Sequence, residues 1–305
     1  MKTLKLRSFF FLIVFLLTSV TFSQASTFAI PQNDDSKVII SEEQPQADTI
    51  AVPSAKMGRS IKCTIIVPVQ YFDDTSSRFP VVYLLHGYSG DYKSWSDITK
   101  PNIGDVSSQY GMIFVCPDGQ DSWYWNSPID PKMQFETFMT TELVPYIDSH
   151  YRTLADSAHR AITGLSMGGH GGLWLGFRHP NIFGSCGSMS GGVDIVPFPE
   201  KWKMKERLGD EATNMDVWRS HSVASLVPTL KNIGQNVIFD CGTEDEYFVK
   251  VNAELHQALL KQGIPHDYIE RPGRHNHAYW SNSLDYQLLF FDKAFKKATS
   301  KEEQQ

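Results

Sequence analysis

Basic surplus, paired cysteines and long apolar runs are all scarce in this 305-residue sequence, and each scarcity excludes a class of protein. Lys and Arg number 28 against 34 Asp and Glu, for a formal net charge of -6, so the basic face of a nucleic-acid binder is missing. The four cysteines, Cys63, Cys116, Cys186 and Cys241, stand far apart and form neither a disulfide scaffold nor the close pairs of a zinc site. The apolar run over 9–17 falls well short of the about 20 residues that a helix needs to cross a bilayer. No internal repeat is visible. What remains is an ordinary globular composition, 41% apolar and 20% charged, too apolar for a disordered chain.

The first residues read as an address. Lys2, Lys5 and Arg7 precede the apolar run, and Thr18, Ser19, Thr21, Ser23 and Ala25 follow it. A basic start, a short apolar centre and a small-residue exit predict a secretory signal peptide over 1–25, cut near Ser23 or Ala25. No cysteine lies near the exit, so a lipoprotein anchor is not expected. The cleaved chain is expected in the periplasm or outside the cell, with no stable membrane insertion. Residues 26–47, rich in Ser, Gln, Pro, Asp and Glu, read as a flexible leader. Cys116 and Cys241 end apolar runs, so the cysteines are expected as core thiols, with one bridge left open.

The body, 48–298, alternates between two kinds of segment. Short apolar runs predict strands at 61–67, 81–85, 112–116, 160–163, 186–189, 237–240 and 266–270. Helix-length stretches cover 134–149, 170–177, 249–262 and 279–297. This order predicts an α/β fold, a mostly parallel sheet with helices on both faces. The opening segment 50–68 holds no helix and is expected as an antiparallel hairpin at the sheet edge. Between 191 and 235 the pattern breaks into Pro, Lys, Trp and Met, read as a cap over the carboxyl ends of the strands. Residues 299–305 read as a charged tail.

The sharpest signal is Gly164-Leu-Ser166-Met-Gly168, set between a strand pattern and a helix pattern. That context predicts a nucleophile elbow, in which a strained turn exposes the serine hydroxyl and aims the next backbone N–H at a developing oxyanion. Serine needs a base, and the base an orienting acid, in the chain order Ser, acid, His. Asp240, Glu244, Asp245 and Glu246 compete for the acid. Asp245 fits best, because it lies beyond the Gly242 turn, whereas Asp240 still belongs to the strand. Of ten histidines, only His275 and His277 follow the last strand pattern and precede the last helix pattern. His275 comes first, after Pro272-Gly-Arg, with His277 as its rival. A second oxyanion donor is expected after 81–85, where Gly87 frees the backbone and Tyr88 N–H joins Met167 N–H. His86 reads as a support of that loop.

His86-Gly-Tyr-Ser-Gly90, Ser122-Trp-Tyr-Trp-Asn-Ser127, Glu136-Thr-Phe-Met-Thr-Thr-Glu142, the elbow, Gly242-Thr-Glu-Asp245 and Pro272-Gly-Arg-His275 occur together and in order. As a set they resemble the esterase D group of α/β-hydrolases. That group includes feruloyl and acetyl-xylan esterases of carbohydrate esterase family 1, S-formylglutathione hydrolases, siderophore esterases and secreted mycolyltransferases. The resemblance spans about Asp48 to Ala298. It implies the α/β-hydrolase fold, Ser166 as nucleophile, Asp245 as acid, His275 as base, and Tyr88 and Met167 as oxyanion donors. Many relatives carry glycine where Arg274 stands and an aromatic residue where His277 stands.

Trp123, Trp125, Trp202 and Trp218 are the candidate substrate contacts, since aromatic faces suit aryl acids and sugar rings. Export disfavours cytosolic glutathione thioesters and favours acyl or feruloyl esters of plant polysaccharides. The expected protein is a secreted serine carboxylic-ester hydrolase, using no metal and no organic cofactor. The alternatives are an acyltransferase or thioesterase with the same triad, and a non-catalytic carbohydrate-binding protein.

Overall fold

The computed structural model describes residues 46–302, apart from 232, together with 304. The segment read as a signal peptide and nearly all of the segment read as a leader lie outside the described residues. Among the described residues eight strands form one sheet: β1 (Gln46–Ser54), β2 (Arg59–Val67), β3 (Val81–Leu85), β4 (Ile113–Pro117), β5 (Arg160–Gly164), β6 (Ser185–Met189), β7 (Asn236–Gly242) and β8 (Asp267–Arg271). Their order across the sheet is β1-β2-β4-β3-β5-β6-β7-β8. β1 and β2 form the antiparallel hairpin, β2 joins β4 antiparallel, and every later neighbour is parallel. The α/β-hydrolase fold expected from the motifs is the fold observed.

Strand chemistry explains the two-sided core. All five residues of β3, β4 and β5 are buried, as strands covered on both faces should be. Val81, Tyr83 and Leu85 pack into one apolar cluster, and Val82 and Leu84 into the other. Alternation along the pleat sends neighbours to opposite faces.

Four boundaries differ from the sequence reading. β1 begins at Gln46, inside the stretch assigned to the leader. The helical stretch at 134–149 is broken by a π-helical turn, Phe138–Leu143. The last helix, His277–Glu302, starts earlier and runs into the segment read as a tail. The segment read as a cap holds short helices, Met204–Leu208, Glu211–Ser220 and Val223–Leu226. The four cysteines are free and buried, and burial pushes their thiols upward.

The helix Met167–Arg178 sits unusually close to β3. A Cβ on Gly168 would stand 2.3 Å from the Leu85 carbonyl oxygen, and one on Gly164 2.5 Å from the same atom. Backbone cannot yield as a side chain can. Gly168→Ala should therefore force the helix away from β3 and lower stability by at least about 1–3 kcal/mol. Urea unfolding checks this, and a variant with the parent's midpoint would refute so close a contact.

Candidate active site

β5 delivers Ser166 to the carboxyl edge of the sheet. The residue takes φ 56° and ψ -115°, a conformation that non-glycine residues rarely adopt. Its N–H is held by the Met189 carbonyl at 2.9 Å, and the Leu165 N–H by the Leu85 carbonyl at 3.2 Å. The hydroxyl is thereby presented above the sheet while the chain turns directly into the helix Met167–Arg178.

β7 and β8 bring the other two groups. His275 Nε2 lies 2.9 Å from Ser166 Oγ, and His275 Nδ1 lies 2.7 Å from Asp245 Oδ2. Asp245 Oδ1 accepts the N–H groups of Tyr247 and Phe248, both at 3.0 Å. The carboxylate has no hydrogen to offer, so His275 donates from Nδ1, and Nε2 is left to accept from Ser166. Burial pushes the Asp245 carboxyl up, but the His275 hydrogen bond and charge and the two N–H donors outweigh it, and it is held below the usual range. Thr243 N–H to Arg271 O and Glu244 N–H to Gly273 O, both 2.9 Å, tie the acid loop to the histidine loop. The imidazole is boxed by Trp280, Phe248 and Tyr247, with ring centroids 4.8, 5.3 and 5.6 Å away.

The rival acids stand elsewhere. Asp240 is fully buried beneath the site, where Ser283, Gln287 and Arg271 bind it and burial holds its carboxyl above the usual range. Glu244 and Glu246 are exposed on the loop. His277 is the first residue of the last helix and bonds Thr99 instead of Ser166. On the far side of Ser166 the loop after β3 carries Tyr88. Among the described residues, the N–H groups of Tyr88 and Met167 have no protein acceptor. His86 supports the loop: Nε2 accepts Gly119 N–H at 2.8 Å, so Nδ1 donates to the Gly87 carbonyl, also at 2.8 Å.

A cavity of about 550 Å³ opens over Ser166 and His275, walled by Tyr88, Leu165, Ile98, Trp202, His277 and Trp280. Trp202 is the one proposed aromatic contact that reaches it. Trp123, Trp125 and Trp218 are 1%, 0% and 0% exposed, which corrects their assignment as substrate contacts. Their polar edges are spent internally. Trp123 and Trp125 stack with centroids 5.5 Å apart and donate to the Trp202 carbonyl and to His170 Nε2, while Trp218 donates to the Gly209 carbonyl. Composition revealed the aromatics but not which way they face; Trp280, missed in the sequence, was hidden as an ordinary apolar position of a helix. Among the described residues no group of three or more His, Cys, Asp or Glu could hold a metal ion.

His170, bound between Trp125 and the Gly192 carbonyl, is pushed down to about 3 by burial. The unfolded chain therefore binds a proton there at a pH where the native state does not. Stability should fall as pH drops from about 6.5 toward 3, by up to a few kcal/mol. Urea midpoints between pH 7 and 4.5 test this. A flat profile, or an unchanged slope in His170→Phe, would contradict it.

The Esterase family model ("Putative esterase") matches residues 54–291. The chain belongs to this esterase family. It is similar to Esterase Rv1288 of Mycobacterium tuberculosis (strain ATCC 25618 / H37Rv), 25% identical over 260 residues, which cover 77% of this chain and 56% of that protein. The chain thus spans little more than half of that relative. An acetyl esterase of Caldicellulosiruptor saccharolyticus is 26% identical over 226 residues, 70% of this chain and 83% of that one. Among solved structures, a ferulic acid esterase superposes with a TM-score of 0.71 at 27% identity, covering 83% of this chain and all of that one, 100%. Among the described residues, no helix is long and apolar enough to cross a membrane.

Proposed function

We propose that this protein is a serine carboxylic-ester hydrolase, exported by its signal peptide, that cleaves acyl or feruloyl esters of plant polysaccharides. One observation carries the reading: an unbroken hydrogen-bonded chain, 2.9 and 2.7 Å, from a serine on a strained elbow through a histidine to a buried carboxylate. His275 takes the Ser166 proton as Oγ attacks the acyl carbonyl. The N–H groups of Tyr88 and Met167 receive the oxyanion, the second reinforced by its place at the start of a helix. His275 then protonates the leaving alcohol, and water, deprotonated by the same imidazole, releases the acid from the acyl-serine. Asp245 holds the imidazole in the accepting tautomer throughout.

The esterase family, the acetyl esterase relative and the ferulic acid esterase likeness support the choice of ester. Trp202 offers an aromatic wall for an aryl acid or a sugar ring. Purified protein tested side by side on methyl ferulate, acetylated xylan and S-formylglutathione decides the substrate class. Preference for S-formylglutathione, or turnover of none of the three, would overturn the proposal.

A further inference from the structure

His277 presents an uncommitted acceptor at the mouth of the cavity. Its Nδ1 lies 2.9 Å from Thr99 Oγ1. Thr99 has a single hydroxyl hydrogen, and that hydrogen goes to the Ser94 carbonyl at 3.0 Å. Toward His277 the hydroxyl can only accept, so the imidazole carries its proton on Nδ1. Partial burial lowers its affinity for a second proton. Nε2 is then a bare lone pair, and among the described residues nothing hydrogen-bonds it. The ring is fixed from two sides. Trp280 stands perpendicular at 5.1 Å, and Thr99 ends a π-helical turn, Ser94–Thr99, whose Ser94 and Ile98 also line the cavity. Such turns are uncommon and concentrate at functional sites.

We propose that His277 is a specificity-determining residue that reads a hydroxyl group on the ester, accepting its hydrogen at Nε2, with Thr99 as the positioning residue that keeps Nε2 bare. The preferred substrates are hydroxylated esters, the hydroxyl lying on the acyl or on the alcohol side. This rests on the esterase reading above and narrows it. Methylating the hydroxyl removes the hydrogen and leaves the rest of the molecule in place.

Two matched pairs separate the sides: methyl 4-hydroxycinnamate against methyl 4-methoxycinnamate, and 2-hydroxyethyl acetate against 2-methoxyethyl acetate. In one pair kcat/KM should favour the hydroxylated ester by about tenfold, the worth of one neutral hydrogen bond. The pair that discriminates identifies the side. In His277→Phe the ratio should fall to about one. In Thr99→Val, where Nε2 is free to carry the proton, it should fall likewise, and His277→Gln, which keeps an acceptor, should retain part of it. Ratios near one in both pairs, or a ratio that survives both His277→Phe and Thr99→Val, would overturn the proposal. Calorimetric binding of the same four esters to Ser166→Ala separates this claim from turnover. A hydroxyl preference in binding without hydrolysis by the parent protein would sink the esterase reading and leave His277 its role. Hydrolysis without preference would do the reverse.

Discussion

Ser166→Ala is expected to keep the fold and to lower kcat/KM for p-nitrophenyl acetate by at least about a thousandfold. The expectation follows from what the hydroxyl does and does not hold up. Among the described residues its one side-chain hydrogen-bond partner is His275, whose ring is also held by Asp245 and three aromatic neighbours, so the pocket should survive the loss. The elbow is set by backbone bonds from Leu165 and Ser166, which alanine retains. Under the proposed mechanism, what disappears is the nucleophile, and with it the acyl intermediate. Residual turnover would come from the two N–H donors and from binding, a contribution of about 10³–10⁴ over water in serine hydrolases. Circular dichroism and the thermal midpoint check the fold, and stopped assays check the rate. A variant that unfolds near its parent's temperature yet keeps more than a tenth of the activity would remove Ser166 from the chemistry.

Much of this arrangement was legible in the residues because local backbone demands leave marks. An elbow needs small neighbours, and a Cβ added to Gly164 or Gly168 would stand within 2.5 Å of the Leu85 carbonyl oxygen, so the glycine spacing could be read as geometry. Asp245 was separable from Asp240 for a similar reason: Gly242 ends β7, and only residues past it can rise above the sheet. The aromatic loop was less legible. Trp123 and Tyr124 take φ 56° and 62°, and that kink turns both indole rings of Trp123 and Trp125 into the core, a direction no spacing rule foretells. His277 was hidden too. It reads as a loop residue until Asn276 caps the last helix by accepting Tyr279 N–H at 3.0 Å, and its chemistry depends on Thr99, 178 positions away.

Asp245→Asn should be nearly as damaging as losing the base, with kcat reduced by about 10³–10⁴ and KM little changed. The substitution is isosteric, so the loss must come from hydrogen placement. Oδ1 is already the acceptor for the Tyr247 and Phe248 N–H groups, which fixes where the amide oxygen of asparagine must go. Its NH₂ then faces His275 Nδ1 across the 2.7 Å that now separates ring from carboxylate. Two donors cannot share that contact, so the imidazole must move its hydrogen to Nε2. An Nε2–H cannot accept the Ser166 proton. His275→Ala should give a comparable loss by removing the acceptor altogether. The parent carboxylate is held below the usual carboxylate range, so at neutral pH it is ionised and accepts the Nδ1 hydrogen. Asparagine offers no such state at any pH, and its activity should not recover as pH rises toward 9 beyond what general hydroxide attack supplies. Recovery to parental kcat at high pH, or a loss of less than tenfold at neutral pH, would mean that the serine and histidine work without Asp245.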